Sequence, residues 1–481
     1  MANRIVKGVS WSALERFSVQ IVQFVISVIL ARLLMPDDYG VVALSLVILN
    51  VLQTINEVGF GAALMHKLDR DELDFSSVFV MNMVMGVGLY SMLFLTSPLL
   101  ERLFGVEGFA PVTRWIGLNL IITSFVVVQR TKLFIAVDFK IMAKASLYGA
   151  IISGIVGVVY AYYRGGVMAL VMQSLLNNLI TTVLIWVHSK WTPSLKFSWE
   201  RFITLFNYAY KLILARFVNT AFNEVYSAVV GAFYSPAQLG LFNRAKSFET
   251  MSSSNITQIV QRVSTPILCE KQNDYKELGD SLIYFIKNTA FFVFPLLCGL
   301  FALADPLIRV LLTDKWEGAI WILQVLCPVG MMYVFSTFNL NVFNATGRTD
   351  WALKCETIKK IVDIAIIVGA VSISFEALVW SQVVIAVFEL VVNLWYTKRQ
   401  IGLGYLKQFK SVAGVFICSV AMALVVGFVA SLVEIALLKL IIGVLVGVFV
   451  YAGLCFALNI NNSRNILDNK VKKYKSQKSI V

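Results

Sequence analysis

A chain of 481 residues that is 58% hydrophobic, only 14% charged and has a mean hydropathy of +0.78 has too few polar residues to cover a water-soluble surface. The excess apolar surface predicts contact with lipid, and 34 Phe and 10 Trp fit lipid-facing helices with interfacial anchors. A net charge of +13 spread through loops and helices points away from nucleic acid, and two His, without an HExxH or a Gly-rich phosphate loop, give soluble-type catalysis little to stand on.

Arg4 and Lys7 precede the first apolar run and no small-residue cleavage site closes it, so it reads as a first span rather than a cleaved leader. Spans of about 20 apolar residues are expected at 11–33, 40–64, 76–97, 114–136, 142–163, 166–188, 203–232, 237–265, 281–304, 318–345, 351–372, 375–397, 409–431 and 435–458. The seventh and eighth carry polar residues but keep apolar ones at helical spacing. The runs are continuous rather than alternating, which excludes a β-barrel. The expected class is therefore all-α, a polytopic membrane protein of fourteen transmembrane helices. Loop charge sets the orientation. With the N-terminus inside, 22 Lys and Arg fall on the cytoplasmic side, against Arg102, Arg114, Arg164, Arg309 and Lys315 outside. Both termini are expected in the cytoplasm, with the cluster Lys470 to Lys478 beside anionic lipid of the inner membrane.

An internal repeat follows from two short loops. After the first span the chain reads MPDDYG, with Pro36 and Gly40; after the seventh it reads YSPAQLG, with Pro236 and Gly240. The offset of 200 also pairs Arg16 with Arg216, Gln20 with Thr220 and Gln23 with Asn223. Further on, Trp115 and Ile116 pair with Trp321 and Ile322, and Lys144 with Lys354. Both copies start on the same side and run six spans, which predicts two lobes related by a parallel pseudo-two-fold axis. The expected divisions are an N-lobe at 1–190, an inter-lobe loop at 191–202, a C-lobe at 203–397, two accessory spans within 398–458 and a basic tail at 459–481.

Charge at the centre of a span costs on the order of 3 kcal/mol on insertion scales, so it should face the bundle interior or a water-filled cavity. Arg16, Gln20 and Gln23 share one helix face, and Arg216, Thr220 and Asn223 repeat it. Asn50, Gln53 and Glu57 line another face, as do Glu249, Ser253 and Thr257. Four polar stripes, two per lobe, predict a polar cavity between the lobes; hydrogen bonding that merely holds the bundle shut is the plainer alternative. Arg16, Lys211, Arg216, Arg244, Lys246, Lys287, Lys359 and Lys360 outnumber Glu15, Glu57, Glu224, Glu249 and Asp363. Such a cavity suits an anionic cargo, a diphosphate above all, because Arg grips phosphate oxygens in pairs. The expected cavity residues are Arg16, Arg216, Arg244, Lys211, Gln20, Gln23, Asn223, Asn50 and Gln53. Arg32, Arg130, Lys132, Arg262 and Lys439 lie near enough to helix ends to snorkel. Six separate cysteines without a CxxC read as small apolar fillers, and neither a metal nor a cofactor is expected.

The stretches GVSWSALERFSVQIVQFVISVILARLLMPDDYGVVAL, VGFGAAL, DFSSVF, WTPSLKF, YSPAQLGLFNRA and NVFNATGRTD resemble the polysaccharide flippases of the Wzx type. These belong to the multidrug/oligosaccharidyl-lipid/polysaccharide transporter superfamily, and the likeness is strongest to the subgroup with the colanic acid and teichuronic acid exporters. The resemblance implies two six-helix lobes around a central cavity, plus two extra helices, and no enzymatic step. It implies an undecaprenyl-diphosphate-linked repeat unit as cargo, carried to the periplasmic leaflet by alternating access for a surface polysaccharide. Its cavity cations map to Arg16, Arg216 and Arg244. It implies coupling to protons or sodium, with Glu57, Glu224 and Asp363 as candidate carriers, and a loose association with a polysaccharide polymerase. Three other readings stand beside it. A drug antiporter of the same superfamily would want an acidic, aromatic cavity. A glycosyl polymerase or ligase would need a larger outer loop than 98–113, and a scaffold would not need buried charge.

Overall fold

In lipid every backbone polar group must be satisfied within its own segment, so long apolar runs fold as helices. The computed structural model describes residues 2–460 apart from 137, 190 and 195, and side chains from residue 18 onward apart also from 57, 58 and 349. Among the described residues there are sixteen α-helices and a single 3-10 turn, and no strand. The expected tail, from 461 onward, lies outside the described residues.

The chain divides into two compact units, the first ending at Asn243 and the second beginning at Arg244. The first unit holds α1 (Ala2–Leu33), α2 (Pro36–His66), α3 (Glu72–Phe104), α4 (Phe109–Ser124), α5 (Val127–Ile135), α6 (Phe139–Tyr163), α7 (Met168–Ser189), α8 (Trp199–Phe233) and the start of α9 (Pro236–Glu270). Here α2 lies along α8, α6 on α7 and α1, and α3 on α4. The core is aliphatic around Leu30, Leu49, Ile116 and Leu120 and aromatic around Phe60, Phe79, Trp191 and Phe202. The second unit holds the rest of α9, then α10 (Tyr275–Ala302), α11 (Ala304–Leu312), the 3-10 turn Asp314–Trp316, α12 (Ala319–Ala345), α13 (Thr349–Val371), α14 (Phe375–Ile401), α15 (Tyr405–Ser431) and α16 (Ala436–Ala457). In it α10 packs on α12 and α15, α14 on α12 and α13, and α16 on α15.

Every expected run coincides with a helix or with the pair α4–α5. Among the described residues, nine helices are long and apolar enough to cross a membrane, and ten if the bent pair counts as one span. The remaining runs, on α1, α8, α9 and α13, are not among these; within α1 the stretch Ser18–Leu33 counts as a shorter apolar helix. One expectation is corrected outright: the run 114–136 is not one straight helix but bends by 43° between α4 and α5. Ser124 turns its hydroxyl back onto Leu120 O at 2.6 Å, a contact that bends helices, and Trp186 Nε1 donates to Phe125 O at 2.8 Å, so the carbonyl released at the break stays satisfied.

The repeat is visible as a reciprocal contact. A Cβ built on Gly40 would overlap the backbone carbonyl of Pro236, and one built on Gly240 would overlap that of Pro36. The starts of α2 and α9 therefore cross backbone to backbone, each using the glycine of its own PxxxG to admit the proline of the other. Residues related by the offset of 200 thus play the same part on the two sides of one contact.

A polar clasp closes the other end of α2. Asp71 caps α3, its carboxylate accepting from Asp74 N at 2.9 Å while Asp74 accepts from Asp71 N at 3.0 Å. Asp74 is fully buried and paired with Lys67 at 2.7 Å, with Arg201 of α8 at 3.7 Å. The segment leading into α8 is tied to the same helix start: Trp191 Nε1 donates to Glu72 at 2.5 Å, and Ser198 N donates to Ser77 Oγ at 3.0 Å.

Candidate functional site

The α2–α8 contact carries three of the polar residues that the sequence singled out on these helices, Asn50, Thr220 and Glu224. Asn50 Nδ2 donates to Glu224 Oε1 at 2.9 Å, joining α2 to α8. One turn on, the Thr54 hydroxyl donates to its own helix at Asn50 O and lies 3.1 Å from Thr220 Oγ1. Gly59 then lets Ile213 and the backbone of Ala209 come close, and the stacked pair His66–Tyr208, centroids 4.4 Å apart, ends the seam. Asn56 points the other way, donating to Ser124 Oγ at 2.7 Å, so α2 shows one polar face to α8 and another to α4. Gln53, also on α2, is half-buried.

Along α8, Lys211, Arg216 and Asn223 are exposed and Thr220 and Glu224 half-buried. Arg216, Thr220 and Glu224 follow at four-residue steps, which puts Arg216 about 12 Å along the axis from Glu224 at about 1.5 Å per residue. Asn223 donates to Asn219 Oδ1 at 2.8 Å. Among the described residues no lysine or arginine forms an ion pair with Glu224, whose described partner is the Asn50 amide. The face thus offers exposed cations and amide groups beside a half-buried carboxylate, and its cations and amides are of the kind that hold an anion. On α1, Gln20 is half-buried and Gln23 exposed. The side chains of Arg16 and Glu57 lie outside the described residues.

Other expected cavity residues sit elsewhere. Arg244 is 8% exposed, its guanidinium 5.4 Å from the centre of the Trp316 ring. The expected cavity stripe Glu249, Ser253 and Thr257 is buried inside the second unit instead of lining open space. Gly330 of α12 leaves room for it to approach, and Glu249 is held by Lys246 at 3.0 Å and Ser253 at 2.6 Å. Asp363 belongs to a different group in that unit: Lys360 Nζ lies 3.4 Å from Asp363 Oδ2 and 3.8 Å from Glu389 Oε1, and Lys359 is paired with Glu356. Sequence reasoning missed Thr54 and Glu389. A lone Glu within the apolar stretch FELVV was the available signal for the second.

Comparison with known proteins follows the same lines. A family model described as polysaccharide biosynthesis protein matches residues 29–321. The succinoglycan biosynthesis transport protein ExoT of Rhizobium meliloti is 25% identical over 478 residues, covering 97% of this chain and 96% of its own. The teichuronic acid biosynthesis protein TuaB of Bacillus subtilis is 23% identical over 428 residues, covering 88% and 89%. Among solved structures, the lipid II flippase MurJ in an inward closed conformation shares the fold with a TM-score of 0.78 at 16% identity, over 95% of this chain and all of that one.

Proposed function

Because the chain belongs to the polysaccharide biosynthesis protein family, we propose that it is a flippase for an undecaprenyl-diphosphate-linked oligosaccharide. The repeat unit moves from the cytoplasmic to the periplasmic leaflet of the inner membrane by alternating access, and a loosely associated polymerase extends it on the far side. The observation that carries this reading is the α8 face, where exposed Lys211 and Arg216 stand on the helix that is seamed to α2 through Asn50 and Glu224. Arg216 has its repeat partner in Arg16, so two arginines meet the diphosphate, one from each lobe, each about halfway along its helix rather than near the cytoplasmic end that the expected spans gave. A drug antiporter is disfavoured by this cationic face. Glu224, Glu57 and Asp363 are the candidate carriers of the driving cation, H+ or Na+. The lobes divide at the 191–202 loop, and both termini face the cytoplasm.

The test is a strain lacking the gene. Wild type should clear accumulated undecaprenyl-linked repeat unit. Arg216→Ala or Arg16→Ala removes a charge-assisted contact worth roughly 1.5–3 kcal/mol, so clearance falls by at least tenfold. Lys at either position keeps charge without the paired fork and restores part of it. Clearance at wild-type rate by both Ala variants would overturn the site. A cysteine placed near Asp37 should be labelled from outside and one near Lys473 should not; the reverse pattern would overturn the direction of transport.

A further inference from the structure

We infer that the α13–α14 pair holds a proton-loading site, Asp363 with Glu389, in which the Lys360 ammonium occupies the place a metal cation would take. The inference rests on the reading of the chain as an ion-coupled transporter and names its ion. On α13 the residues Cys355, Lys359 and Asp363 recur every four positions and are 0%, 4% and 7% exposed. On α14, Glu389, Asn393 and Thr397 recur the same way, the last two fully buried. The stripes face each other, since Cys355 Sγ donates to Asn393 Oδ1 at 3.1 Å and Lys360 reaches both Asp363 and Glu389. A polar file therefore runs between the two helices, from Thr397, beside Lys398 and Arg399, to Asp363. Past Asp363 the same face continues as buried Ile367, which closes the file at that end.

Three groups along the file are buried and have no partner among the described residues: Asp363 Oδ1, Asn393 Nδ2 and Thr397 Oγ1. Buried polar groups without a protein partner occur elsewhere in the described residues as well; what sets these three apart is that they line up in one file ending at a carboxylate, where ordered water would satisfy them and conduct a proton to Asp363. The charges also fit one proton. Lys359 and Lys360 face Glu356, Asp363 and Glu389, two cations against three carboxylates, so the group carries one net negative charge. Of the helices packed on the pair, α12 has no charged residue, α10 carries Lys276, Glu277, Asp280 and Lys287, and α15 carries Lys407 and Lys410, with Lys407 paired to Asp280. A sodium ion would have to settle against the ammonium already lying between the two carboxylates. A proton need not: it adds to Asp363 Oδ1, Asp363 becomes the neutral acid, Lys360 pairs with Glu389 alone, and the group reaches zero charge. Release to the opposite side restores the starting state.

The measurement is infrared difference spectroscopy of the full chain in liposomes, between mildly alkaline and mildly acidic buffer, with sodium-dependent thermal stability alongside. Wild type should gain a carboxylic-acid carbonyl band on acidification and show no stabilisation by sodium over potassium. Asp363→Asn should lose the band. Lys360→Gln should vacate the cation position and gain a sodium-dependent rise in stability. Should Asp363→Asn fail to fold, Lys360→Gln/Asp363→Asn, which keeps the group's net charge, carries the same spectral test. A band that persists without Asp363, or sodium stabilisation of wild type, overturns the inference. So does full, uncoupler-sensitive clearance of lipid-linked cargo by Asp363→Asn, which leaves the flippase reading standing. Failure of wild type to clear cargo would sink the flippase reading and leave the spectral result intact.

Discussion

Adding a single methyl at the α2–α9 crossing should disturb this protein far more than the same methyl elsewhere. In Gly40→Ala the new Cβ would overlap the O, C and Cα of Pro236, all backbone, so no rotamer change can make room and the two helix starts must part. Gly240→Ala meets the Pro36 carbonyl and, at 3.2 Å, Gly40 N, from the other side of the same contact. Overpacking of this kind costs roughly 1–3 kcal/mol, and the backbone nature of the obstacle puts it toward the upper end. Against this stands the usual gain of about 0.5–1 kcal/mol for Ala over Gly within a helix. Gly88, mid-helix in α3 with nothing near a built Cβ, is the control and should show that gain undiluted. The assay is the thermal midpoint of the purified protein in one detergent. Gly40→Ala and Gly240→Ala should fall below wild type and Gly88→Ala should match or exceed it. Because both crossing variants strain one contact, the double variant should cost less than the sum of the two. Equal midpoints for Gly40→Ala and Gly88→Ala would refute the crossing.

Three further outcomes are expected. Lys67→Met leaves the fully buried Asp74 carboxylate with Arg201 at 3.7 Å as its remaining cation, a loss on the order of 3 kcal/mol that Lys67→Met/Asp74→Asn should partly recover in the same melting assay. Asn50→Ala removes the described donor to Glu224 and should lower cargo clearance, whereas Glu224→Gln keeps the hydrogen bond and should cost clearance only through the lost charge; equal effects on melting would show that the contact is not made. The Asp74 backbone amide holds the Asp71 carboxyl below its usual value of 3.8, with Arg201 and Lys67 assisting. A depressed folded value means the contribution is present above that pH and is lost as pH falls through the folded value, so the midpoint should drop below about pH 4 in wild type and less in Asp71→Asn. Parallel melting curves for the two would refute the cap.

What the sequence determined by itself was whatever depends on local composition. Runs of apolar residues in a chain this poor in charge must become helices, because lipid leaves backbone groups no other partner, and each run found its helix. The PxxxG repeat was legible for a similar reason: two glycines at one offset mark two places where backbones approach, and they proved to be the same place. Facing was not legible. The stripe of Glu249, Ser253 and Thr257 follows one helix face just as that of Arg216, Thr220 and Asn223 does, yet one is buried against Gly330 and the other is largely open. Helical periodicity says that residues share a face and is silent on which neighbour covers it. The bend at Phe125 likewise depends on Trp186, sixty-one residues away. Asp363 stood out as a charge within a span, but only the packing of α13 on α14 put Lys360 and Glu389 beside it, since a buried charge is defined by partners that the chain brings from elsewhere.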